Sequence, residues 1–108
     1  MTAFNDAGAN SLRGEAELRV GEAAFLLRPS FAALVAAESE LGPLFALVER
    51  AADGRLGLGE LASLFWHCLR DRPDAPTREA VGEAVVAQGL VAVTPALRIL
   101  LGQILQGR

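Results

Sequence analysis

The order of segments predicts an α+β fold: an N-terminal antiparallel β-hairpin followed by about five α-helices in one compact, mostly helical domain. Three observations carry this. Residues 15–20 alternate in polarity and residues 23–28 return as an apolar run across Gly21 and Glu22. Downstream, apolar residues recur at helical spacing. Each helical stretch opens on a capping residue or proline, or closes at glycine or proline.

Taken in order, residues 1–14 are small and polar and read as a flexible tail preceding a domain over 15–108. In the first strand Ala16, Leu18 and Val20 alternate with Glu15, Glu17 and Arg19, so one face is buried and the other solvated. Ser30 is a good N-cap for a helix over Phe31–Leu41 with a stripe of Phe31, Leu34, Val35 and Leu41, ended by Gly42. Pro43 suits the first turn of the second helix, which turns Leu44, Leu47, Val48 and Ala51 inward and stops at Asp53-Gly54. The third helix is expected from Leu58 to about Asp71. Its buried face is Leu58, Leu61, Ala62, Phe65, Cys68 and Leu69; Glu60, Ser63, His67 and Arg70 form its polar, solvated face. Thr77 caps a fourth helix burying Val81, Ala84 and Val85, and Thr94-Pro95 is expected to open the last, striped by Leu97, Leu100, Leu101, Ile104 and Leu105.

The 108 residues suffice for a single core, and 52% of them are hydrophobic. No apolar run reaches the roughly 18–20 residues that span a bilayer, so the excess apolar surface points to another protein chain and not to a membrane. The formal net charge is -3 and every basic residue is a scattered arginine, which gives no electrostatic case for nucleic acid. One cysteine, Cys68, leaves no internal disulfide. The start of the chain lacks a secretory pattern, so a cytoplasmic site of synthesis is expected.

No constellation carries catalysis, a cofactor or a metal. Asp53 to Leu61 looks like the second half of a calcium loop, with Glu60 in the bidentate position, but Glu49 and Ala51 stand where earlier ligands are needed. Ser63 and His67 are one helical turn apart, yet Glu60 would lie on the order of 10 Å from the imidazole, too far to orient it. Cys68 points about 100° away from His67 and reads as a small core residue. Phe65 and Trp66 read as packing, and Gly54, Gly57 and Gly59 lack the residues of a phosphate loop.

Glu38 is the anomalous charge, because it falls inside the apolar stripe of the first helix. It reads as a buried structural acid paired with Arg28, Arg50 or the amides near Leu44; otherwise it bends to the edge of the stripe and stays wet. On the last helix, Ile99 lies off the main stripe. With Leu101, Ile104 and Leu105 it forms a candidate partner-facing set, the alternative being that this helix closes the core.

Leu27-Arg28-Pro29-Ser30-Phe31-Ala32-Ala33-Leu34 followed by Glu38-Ser39-Glu40-Leu41-Gly42 resembles the start of a gene transfer agent tail protein family. Leu44 to Val48, Asp53-Gly54-Arg55-Leu56 and Glu60-Leu61-Ala62 continue the likeness, which runs from about Glu15 to Leu105. Members are described as tail assembly chaperones, and the same family is also labelled as tail tube proteins. The resemblance implies a non-enzymatic role without a cofactor, with the tape-measure protein and the major tail protein as partners, a homo-oligomer as a further option, and assembly in the cytoplasm.

Between the two labels, the strand count favours the chaperone, which would bind the tape-measure protein and tail tube protein. Tube walls are extended β-sheets, and two short strands are too few to build one. The alternative is a structural tail tube component retained in the finished particle. An amphipathic partner helix laid in an apolar groove is the expected binding mode.

Overall fold

The computed structural model describes residues 16–107; the tail expected over residues 1–14 lies outside them. The chain order is β1 (Ala16–Val20), β2 (Ala23–Leu27), α1 (Phe31–Leu41), α2 (Leu44–Ala52), α3 (Leu58–His67), α4 (Arg78–Gln88) and α5 (Leu90–Gln106). This is the hairpin-then-helices α+β architecture predicted above.

β1 and β2 pair antiparallel, from Ala16 opposite Leu27 to Val20 opposite Ala23. Gly21 and Glu22 make the turn, and Gly21 alone of the two has a positive φ, 65°. Glycine in the first of two turn positions is the type II′ geometry, whose twist matches that of the strands. The period of two then sorts the side chains. Ala16, Leu18, Phe25 and Leu27 are buried against the helices, while Glu17, Arg19, Ala24 and Leu26 lie on the other face. β1 packs on α5 and α4, which completes what a lone hairpin cannot stabilise by itself.

α3 is the centre of the molecule. Every residue from Leu61 to Phe65 and from His67 to Leu69 is buried, with α1 on one side and α4 on the other. Leu58 is an exception to the expected face and stays exposed at the first turn. Gly82 of α4 is only half-exposed because it passes close to Ala62, whose Cβ would lie 3.8 Å from a methyl placed there. The core joins Leu18, Phe25, Leu47, Leu64, Phe65, Leu69, Val81, Val85 and Leu100 across both layers.

The apolar stripe expected on α1 is not the face that it buries. Ala33 and Ala37, four residues apart, are buried, whereas Phe31 is 86% exposed and Val35 is exposed too. Small side chains let α1 approach α3 closely; the larger ones on the adjoining face cannot be accommodated at that distance. The Ser30 cap is present, its hydroxyl accepting the Ala33 N–H at 3.1 Å.

α5 begins at Leu90, not at Thr94, and carries Pro95 inside it. Thr94 does not cap; its hydroxyl donates to the Leu90 carbonyl at 2.7 Å. The proline forfeits the bond to the carbonyl of Val91, a residue 87% exposed, where water can take its place. The buried line is Val93, Ala96 and Leu100, with Leu97 and Leu101 half-buried beside it.

Gly89 is the joint between α4 and α5, which meet at an angle of 120°. Its φ of 92° and ψ of 150° fall in a region open to glycine and closed to side chains. A Cβ there would meet no atom within 4 Å, so the cost of Gly89→Ala is backbone strain alone. Urea denaturation should show a loss of about 1–3 kcal/mol. An unchanged midpoint would mean that the joint tolerates an ordinary residue.

Candidate functional site

Polar side chains from three helices meet at one point. Glu40 near the end of α1 accepts from Nε2 of His67 on α3 at 2.7 Å, and its other oxygen accepts from Arg78 at the start of α4. The same Arg78 nitrogen donates to the Ser63 hydroxyl at 3.1 Å, and the guanidinium lies over the Trp66 ring, 4.2 Å from its centroid. His67, only 4% exposed, stacks edge-on to Trp66. Since a carboxylate only accepts, the His67 proton sits on Nε2; Nδ1 is enclosed with no partner among the described residues.

Ser63 and His67 are therefore buried, a correction to the solvated face expected of them. A helical wheel of α3 alone cannot show that α1 and α4 cover its polar side. Arg78 beside Glu40 holds that carboxyl below the usual carboxylate range, with His67 adding to the effect. The arrangement does not prepare a nucleophile. Ser63 accepts from a cation, and the imidazole nitrogen that could serve as a base, Nδ1, is enclosed and makes no hydrogen bond to Ser63 among the described residues. Its chemistry is that of a clasp joining α1, α3 and α4.

Two further acids are engaged by backbone amides. Glu38 is exposed, not buried, because α1 rests on Ala33 and Ala37 and turns Glu38 toward solvent. Its carboxylate accepts the Leu44 N–H at 3.0 Å, across the Gly42-Pro43 junction and onto the open first turn of α2. Glu60 reaches back to the Gly57 N–H at 2.9 Å and pairs with Arg50. Those two contacts, the Gly57 amide first, lower its pKa. Gly57 has no side chain to return the bond, so this is half of a capping box. Burial pushes the Cys68 thiol up to about 12, the mark of an inert core cysteine.

Of the candidate partner-facing residues, Ile99, Leu101 and Ile104 are half-buried and pack against the core, whereas Leu105 is exposed. Other large apolar side chains that stand in solvent lie elsewhere. Phe31 and Val35 project from α1 and Phe45, 78% exposed, from α2; Val86, Leu90 and Val91 surround the α4–α5 joint. Phe31 and Val35 are stripe residues that the period alone assigns to the core. Glu40 and Arg78 were missed because they stand 38 positions apart and no local pattern links them.

No single helix among the described residues is long and apolar enough to cross a membrane. Residues 13–107 match the family model described as phage tail tube protein, GTA-gp10. No curated protein and no solved structure matches the chain. The match takes in the hairpin, all five helices and the clasp that joins three of them. On that extent, the chain belongs to the gene transfer agent family of phage tail tube proteins.

Proposed function

We propose that this protein is a structural component of the tail of a phage-like particle, assembling in the cytoplasm with other tail proteins as part of the tail tube. The observation that carries the reading is the family match over residues 13–107. The family is in general non-enzymatic, in keeping with a polar cluster built as a clasp. Exposed Phe31, Phe45 and Val91 supply apolar surface for subunit contacts. This reverses the ranking drawn from strand count, because the family description names the tube.

The assembly chaperone remains a second reading for one reason. The sheet has two strands, and at the edge of β1 the Gln88 amide donates to the Arg19 carbonyl at 2.7 Å. Extending the sheet into a continuous β-wall would have to displace this contact, which favours tube contacts through the helices. A chaperone holding the tape-measure protein has no need of a wall.

Quantitative mass spectrometry of purified particles separates the two, alongside capture of tape-measure and major tail proteins from assembling cells. A stoichiometric, repeated copy number in finished tails is expected. Absence from particles combined with tape-measure capture would establish the chaperone instead. Absence from both would end the tail reading.

A further inference from the structure

We propose that the outer edge of β2 is a self-association site, at which a second copy of this chain adds its own β2 antiparallel through the backbone groups of Ala24 and Leu26. The inference comes from hydrogen-bond accounting and does not depend on the tail reading. A hairpin with a two-residue turn closes on a hydrogen-bonded pair, here Val20 with Ala23. Alternation makes Leu18–Phe25 and Ala16–Leu27 the other bonded pairs. The N–H and C=O groups of Glu17 and Arg19 then point off the β1 edge, and those of Ala24 and Leu26 off the β2 edge.

Two contacts agree with this phase. The Arg19 carbonyl accepts from Gln88 of α4, and the Arg28 N–H, next in phase beyond Leu26, donates to the Cys68 carbonyl at 2.9 Å. The Arg19 end of β1 is thus guarded by α4, and the Arg28 end of β2 by the exit from α3. Between these guards, the outward groups of Ala24 and Leu26 make no hydrogen bond among the described residues. Such groups must meet water or a partner strand. Natural edges are protected by charge or proline. β1 carries Glu17 and Arg19, but Ala-Ala-Phe-Leu-Leu of β2 carries neither device.

The same accounting selects the occupant. With Cys68 closing one end, the register that uses both free residues sets Phe25 against Phe25 of the second copy. Ala24 then faces Leu26 of the second copy, and Leu26 faces its Ala24, so both meetings are hydrogen-bonded pairs. The edge is self-complementary, carries no charged side chain of its own and is used up in one step; the nearby Arg72 guanidinium lies over the inner-face Phe25 ring, 5.8 Å from its centroid. The pairing is isologous, with the same edge used by both chains, so the association closes at two copies. It also relieves the marginal stability of a two-stranded sheet.

Sedimentation velocity of the full chain over a concentration series should show a monomer–dimer equilibrium. A24K/L26K places lysines opposite each other at both pairs and is expected to weaken association roughly tenfold or more. A24E/L26K loses the same apolar side chain but places opposite charges together, and should stay dimeric. Should A24K/L26K fail to fold by circular dichroism, A24E/L26E replaces it with the same expectation. Amide exchange at Ala24 and Leu26 should slow as concentration rises. A monomer at every concentration overturns the proposal, whether those amides exchange freely or are covered by the chain's own residues. So does equal association of the like-charge and opposite-charge variants.

Discussion

Phe65→Ala is expected to cost about 3–5 kcal/mol in urea denaturation, enough to leave a domain of ordinary stability near its unfolding threshold. Phe65 is fully buried at the centre of α3, where the hairpin layer and the helices α1, α4 and α5 converge on one core. Removing the ring loses its transfer energy and leaves a cavity whose walls belong to different elements, so no single shift can fill it. Phe65→Leu retains most of the volume and should cost far less, under about 1.5 kcal/mol. If the two substitutions proved equally mild, the centre of the core would have to lie elsewhere.

Arg78→Ala should cost about 1–2 kcal/mol after allowing for the exposure of the guanidinium. It strips a hydrogen bond from Ser63, a charge partner from Glu40 and a cation from the face of Trp66. The loss should depend on pH. Glu40 has a lower pKa folded than its ordinary value of 4.5, so its contribution is fully present above that value. It disappears as pH falls through the lower, folded value. Glu40→Gln should therefore lower the melting temperature at neutral pH and flatten the fall seen on acidification. The flattening will be partial, because Glu60 titrates in the same direction. Melting curves of Glu40→Gln running parallel to those of the wild type throughout that window would remove the clasp from the account.

What could be read locally was read well. Gly21-Glu22 between two apolar runs is a turn whichever fold surrounds it, and Ser30 and Thr77 cap α1 and α4 as expected. Those features depend on a few neighbouring dihedrals and one side-chain oxygen. Thr94-Pro95 misled for the same reason. The pair is a good helix start in isolation, but Gly89 turns the chain earlier and the proline is tolerated where its lost partner is solvated.

Glu38 marks the limit of reading burial from periodicity. An apolar stripe indicates which face can be buried, not which face a neighbour will choose. α1 settles on Ala33 and Ala37, since close approach to α3 gains more than covering Phe31 would, and Glu38 turns outward to hold Leu44. The clasp was invisible for a different reason. Its members come from residues 40, 63, 66, 67 and 78, and only the packing of three helices brings them within hydrogen-bond reach.

By itself, the amino-acid sequence determined the element order, the hairpin turn and the Ser30 and Thr77 caps, all set by local sterics and residue chemistry. The tertiary structure alone decided which helix faces are buried, that Ser63 and His67 lie inside, and that Gln88 of α4 reaches the Arg19 carbonyl on the β1 edge. Those outcomes depend on contacts between residues far apart in the chain, whose energies exist only once the elements have packed.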